Sequence, residues 1–139
     1  MAYNVPDMKP DEPEAILGEF EALVLLALLR LGNGAFGAAI HREIVARTNR
    51  DLPSSAVYVT LDRLEAKRMV CSYIGNPTPQ RGGRRRKHYL LDTAGQRALV
   101  LAYQTFSAMT ADIQQELDEL TLRVMPDAVA AKPPRRVGW

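Results

Sequence analysis

The sequence predicts a mainly α-helical fold with one small β-hairpin, followed by a long C-terminal helix. Three observations carry that reading. Apolar residues recur at spacings of three and four in three segments before position 68, and again over 93–125. Two stretches, at about 69–75 and 86–91, alternate apolar and polar residues as half-buried strands do. Between them lie Asn76, Pro77, Pro79, Gly82 and Gly83, which mark a long turn.

The elements follow in order. Residues 1–14 hold three prolines and several charges and read as a mobile arm. The first helix is expected at about 15–31, with Leu17, Phe20, Leu23, Val24, Ala27, Leu28 and Leu31 on one face. Val24 to Leu29 is apolar nearly all round, so this helix should be buried on more than one side. Gly32-Asn33-Gly34 stops it. The second helix is expected at about 36–48, with Ile40 and Ile44 inward and Gly37 permitting close packing. The third runs from Ser54, a good N-cap residue after Pro53, to about Lys67. Val57, Leu61 and Leu64 fall at i, i+4 and i+7 and face the core. The opposite side then carries Ser55, Val59, Asp62 and Ala66, with Tyr58 and Arg63 on the flanks.

After the hairpin, Asp92 or Thr93 caps the last helix. Its stripe includes Tyr103, Phe106, Met109, Ile113, Leu117 and Leu120. A helix of about 30 residues is about 45 Å long. A three-helix core with a hairpin cannot cover such a face, so a second chain should. The expected interface is Leu23 of the first helix together with those six residues. Tyr103 and Phe106 could also wall a slot for a small planar aromatic effector. Residues 126–139, with three prolines and several cations, read as a flexible basic tail. The expected units are thus the arm at 1–14, a folded domain at 15–92, a dimerisation helix at 93–125 and the tail at 126–139.

Charge is unevenly distributed. The chain of 139 residues carries a net +2, yet from Arg42 to Arg97 there are twelve Lys/Arg against five Asp/Glu. Residues 1–35 carry two cations and six anions. Five of the seven positions Arg81–Lys87 are cations. Such a tip cannot be buried, because desolvating five charges costs too much. It is suited to a negative partner. Three helices followed by a basic hairpin form the layout of a winged helix-turn-helix, with double-stranded DNA as the expected partner. The third helix, with small polar side chains at its start and free amides at its N-terminus, fits a recognition helix. The candidate DNA contacts are Ser54, Ser55, Tyr58, Val59 and Arg63 on that helix, and Arg81, Arg84, Arg85, Arg86 and Lys87 on the wing.

Other chemistries find little support. One Cys and two His give no metal-ligand spacing, so no metal or cofactor is expected. No nucleophile–base pattern or phosphate loop is present, so the chain does not read as an enzyme. His41 is expected on an exposed helix face, and Cys71 reads as a small apolar filler in a strand. The longest apolar run, Ala22 to Leu29, has eight residues, against about 20 for a membrane span. No signal-peptide pattern is seen, and a cytoplasmic location is expected.

Several pieces together resemble the PadR family of transcriptional regulators. They are Leu17-Gly18-Glu19-Phe20-Glu21, Ala35-Phe36-Gly37-Ala38-Ala39-Ile40 and Ala56-Val57-Tyr58-Val59-Thr60-Leu61-Asp62-Arg63-Leu64-Glu65, then Gly82-Gly83-Arg84-Arg85-Arg86-Lys87-His88-Tyr89-Leu90-Leu91 and Gly95. The short C-terminal part is similar to the subgroup with one dimerisation helix. The resemblance implies a homodimer on a pseudo-palindromic operator, usually a repressor, with an effector that lowers DNA affinity. It places Tyr58 at a phosphate or at the helix–groove junction, and Arg84, Arg85, Arg86 and Lys87 in the wing. The chain departs from the family at Arg68, where Gly is usual. A left-handed backbone there costs a non-Gly residue roughly 1–2 kcal/mol. The remaining alternative is a winged-helix interaction module whose basic wing binds an acidic partner or anionic lipid.

Overall fold

The structure is a computed structural model that describes residues 16–75 and 86–130. The expectations for the arm, for Arg81, Arg84 and Arg85, and for residues 131–139 lie outside the described residues.

Three helices build the core. Helix α1 (Glu19–Leu31) starts at Gly18, whose N–H donates to Glu21 Oε1 at 3.0 Å. It stops at Gly32, whose φ of 88° no side chain would favour. Helix α2 is Gly37–Thr48 and closes on Asn49 in the left-handed region. Helix α3 is Ser54–Ala66. Its cap position is Pro53, so Ser54 is the first helical residue and not the N-cap the sequence suggested. Pro53 takes the extended backbone of a cap residue, φ −68° and ψ 141°, but offers no side-chain acceptor, and the helix begins one residue earlier than expected. Val24, Leu25 and Leu28 meet Ile40, Ile44, Val57, Leu61 and Leu64, all buried.

Strand β1 (Ala35–Phe36) precedes α2, and β2 (Val70–Ile74) and β3 (Lys87–Leu91) form the hairpin. The sheet is antiparallel with order β1-β3-β2, pairing Phe36 with His88 and Tyr73 with His88 from either side. A two-residue strand has no periodicity to read, so β1 adds to the expected hairpin. Val70 and Tyr89 close the core from the sheet. Cys71 is exposed, not a filler, because it alternates with buried Val70.

Asp92 caps α4 (Thr93–Thr110), its carboxylate accepting from Thr93 N–H at 2.8 Å. Gly95 in the first turn lies against the carbonyl of Met69, where a Cβ would stand 2.1 Å from the oxygen. The apolar repeat expected as one helix over 93–125 is divided. Helix α4 ends at Thr110, and α5 (Gln114–Val124) begins after Ala111, Asp112 and Ile113. Asp112 is left-handed at φ 65°, and the Thr110 hydroxyl donates to the Phe106 carbonyl at 2.7 Å. Both features loosen the helical ladder without a Gly or Pro to announce it. Helix α6 (Pro126–Ala130) occupies the start of the segment read as a flexible tail. No helix among the described residues is long and apolar enough to cross a membrane.

Candidate nucleic-acid interface

Helix α3 buries one face and presents the other. Ser54, Ser55, Tyr58, Val59, Asp62 and Arg63 are all exposed, while Val57, Thr60, Leu61 and Leu64 are buried. The structure thus gathers the five sequence-predicted residues of α3 on one open surface. The entry to α3 is braced from α2. His41 Nε2 lies 2.6 Å from the Leu52 carbonyl, just before Pro53. His41 is therefore half-buried rather than surface-facing, because the turn folds back over it. Gly37 opens α2 directly beneath the Tyr58 ring, where a Cβ would come within 2.3 Å of a ring carbon. A side chain at 37 would force the Tyr58 ring to move.

The exit from α3 is equally defined. The Met69 N–H donates to the Leu64 carbonyl (2.9 Å) and the Arg68 N–H to the Glu65 carbonyl (3.0 Å). This is a Schellman closure with Arg68 left-handed at φ 60°. Met69 and Leu64 supply the buried apolar contact that accompanies the motif. At the outer edge, Lys67 donates to Glu21 at 2.8 Å. Burial pushes the Glu21 carboxyl up, but the Lys67 bond, the Gly18 N–H and the charges of Lys67 and Arg63 hold it below the usual carboxylate range. Arg63 thus lies within electrostatic reach of α1 as well as on the outer face.

The wing base divides its cations. Lys87 Nζ donates to Glu65 Oε1 at 2.8 Å, and the Ser72 hydroxyl bonds the other Glu65 oxygen. These bonds, that from Lys87 first, hold the Glu65 carboxyl below its ordinary range. The Glu65 bond holds the Lys87 ammonium above its own. Lys87 is therefore turned onto the recognition helix. Arg86 behaves differently, its guanidinium 4.1 Å from the centroid of the Phe36 ring. Arg42 of α2 approaches the same ring at 5.8 Å. His88 Nδ1 lies 2.5 Å from the Gly34 carbonyl, and the imidazole stacks on Tyr73. Arg42 and Phe36 were not singled out from the sequence. A lone Arg on an amphipathic helix gives no signal, and Phe36 reads as an ordinary apolar residue.

A second surface is apolar. Tyr103, Phe106 and Met109 of α4 are 71%, 72% and 74% exposed. Ile113, Leu120, Leu122 and Val124 continue it on and beside α5, while Leu117 is half-buried. On α1, Leu26 and Leu29 are exposed and Leu23 is half-buried. Among the described residues, no group of three or more His, Cys, Asp or Glu could hold a metal ion.

A PadR-like transcriptional regulator family model matches residues 25–100, from the middle of α1 through the wing into α4. The chain belongs to the PadR-like family. A PadR family transcription regulator from hypervirulent Clostridium difficile R20291 is 27% identical, with 72% of this chain and 99% of that one covered and a TM-score of 0.58. A PadR-like transcriptional regulator from Bacillus cereus strain ATCC 14579 is 14% identical, covering 70% and 90% of the two chains at a TM-score of 0.58. F93 from STIV, a winged-helix DNA-binding protein, is 15% identical, covering 70% and 98% at a TM-score of 0.56. At those identities the last two show the fold alone, a winged helix. No curated protein matches the chain.

Proposed function

We propose that this PadR-family chain is a sequence-specific transcriptional repressor that binds a pseudo-palindromic operator as a homodimer. The observation that carries the reading is the outward face of α3, where Ser54, Ser55, Tyr58, Val59 and Arg63 stand open beside a basic wing. Helix α3 enters the major groove with Ser55, Val59 and Arg63 toward the bases and Tyr58 toward the backbone. Arg81, Arg84, Arg85 and Arg86 meet phosphates, which fix position and carry little sequence information. Lys87 holds the wing against α3 through Glu65. Repression follows the usual action of the family.

The open apolar surface of α4 and α5 supports the dimer. A planar aromatic effector between Tyr103 and Phe106 deepens the same reading. Two clefts among the described residues, one lined by Leu28, Leu91 and Gln96 and one by Leu23, Ile44 and Arg47, include neither aromatic residue. A slot at Tyr103 and Phe106 would therefore need the partner chain as its second wall.

The test is selection from a random duplex pool, with wild type, Val59→Ala and Arg63→Ala in parallel. The expected result is one enriched motif for wild type and an altered preference for each variant, about 1–3 kcal/mol per lost base contact. The same motif from Arg63→Ala would remove Arg63 from base reading. Enrichment of no motif would favour the interaction-module alternative.

A further inference from the structure

We infer that Arg42 and Arg86, held against the ring of Phe36, form one clamp for a single DNA phosphate at the corner where β1 enters α2. The inference rests on the DNA-binding reading and adds to it a residue, Arg42, outside both the recognition helix and the wing.

The two guanidiniums lie 5.8 Å and 4.1 Å from one ring centroid. Four other cations of this domain are neutralised locally, Arg47 on Glu43, Arg50 on Glu19, Lys67 on Glu21 and Lys87 on Glu65; what sets Arg42 and Arg86 apart from the remaining arginines is the ring they share. Among the described residues, Arg42 and Arg86 have no carboxylate partner. Two like charges near one ring repel each other, and an anion bound by both would relieve that repulsion. A guanidinium that rests on an aromatic ring keeps N–H groups at its edge free to donate, the geometry suited to a phosphate. The ring itself is fixed. Phe36 pairs with His88 in the sheet and meets the imidazole edge to face, 6.1 Å between centroids. The next residue, Gly37, touches Tyr58. A phosphate seated here would therefore tie α2, the wing base and the recognition helix to one point on the duplex backbone.

Fluorescence anisotropy with a short mixed-sequence duplex, across a potassium chloride series, tests the clamp. The proteins are wild type, Arg42→Gln, Arg86→Gln and the double variant, each with a thermal melt. Because Arg42 is exposed, its variant should melt with wild type. Each single variant should bind more weakly. For each protomer bound to the duplex, the double variant should lose about 0.9 from the slope of log affinity against log salt, the value for one phosphate, which is roughly eightfold at 0.1 M salt relative to 1 M. A loss twice as large per bound protomer would mean two separate phosphates and overturn the shared clamp. If wild type binds with a steep slope and Arg42→Gln matches its affinity at every salt concentration, the clamp falls and the DNA-binding reading stands. Wild type without salt-dependent binding would overturn both.

Discussion

At Arg68 the backbone takes a conformation that glycine adopts freely and arginine does not. The φ of 60° is required by the Schellman closure, which buries Met69 against Leu64 at the foot of α3. Arg68 is exposed and makes no side-chain hydrogen bond among the described residues, so little is lost with its side chain. Arg68→Gly should therefore stabilise the fold. Relief of strain is worth roughly 1–2 kcal/mol, reduced by the greater freedom of glycine in the unfolded chain, leaving about 1 kcal/mol. For a domain of this size that is about 4–8 °C in melting temperature, measured by calorimetry. An unchanged or lower value would show that the motif tolerates arginine without strain. A second residue-scale outcome concerns Tyr58, which packs its ring on Gly37 and is 44% exposed. Tyr58→Phe keeps that packing and removes the hydroxyl. It should weaken binding to all duplexes without changing the selected motif. A changed motif would make Tyr58 a base reader. The left-handed position at 68 was legible because a glycine is usual there. The cap of α3 was not, because Ser54 carries a capping side chain but stands inside the helix, with Pro53 at the cap position. His41 was misread because only the folded turn brings Leu52 back to it.

Between elements, the wing is fastened to the recognition helix by Glu65, which takes Ser72 from β2 and Lys87 from β3. The pH dependence follows from the two directions. Glu65 is lowered, so its contribution is present above the ordinary carboxylate range and lost as pH falls through the depressed value. Lys87 is raised, so its contribution is present below the ordinary ammonium range and lost as pH rises through the elevated value. The fastening therefore holds across neutral pH. Both side chains are partly exposed, and such a pair contributes below about 1 kcal/mol. Lys87→Met should lower the melting temperature slightly at neutral pH, and the difference from wild type should close in acid, once Glu65 is protonated. A difference that persists in acid would assign the loss to packing. The same variant should leave the salt slope of DNA binding close to that of wild type, because its charge is already neutralised. The main helices and both hairpin strands were legible from periodicity alone. Strand β1 has too few residues to show a period, and the break at 111–113 interrupts an apolar repeat that itself continues from Met109 to Ile113 and Leu117. A left-handed Asp112 leaves no trace in such a pattern.

On the scale of the molecule, the winged-helix domain closes its own core and α5 does not. No residue of α5 is buried, and α4 beyond Leu99 exposes Val100, Tyr103, Phe106 and Met109. Contiguous apolar surface on that scale marks an interaction site or a liability to aggregate. A second copy of the chain, related by a two-fold axis, would cover the same patch on both chains. It would also set the two α3 helices about 34–36 Å apart, one turn of DNA, if they read adjacent half-sites on one face. The sequence predicts that such a face exists. It cannot give the crossing angle, because the break after Thr110 redirects the second half of the stripe. Changing Ile113 and Leu117 together to Asp should give a monomer by analytical ultracentrifugation. The substitution at 113 is informative because this residue is the N-cap of α5, and Asp is a better cap than Ile. Helix α5 should thus survive, and unchanged far-ultraviolet circular dichroism would confirm that only the apolar contact has gone. Each monomer keeps its α3 and wing, so binding to a single half-site should persist. Affinity for the full operator should fall toward that of the half-site, since linkage of the two reading heads is lost. Wild type that sediments as a monomer at micromolar concentration would overturn the dimer. A double variant that remains dimeric would place the interface on α1 and α4 alone, through Leu26, Leu29, Tyr103 and Phe106.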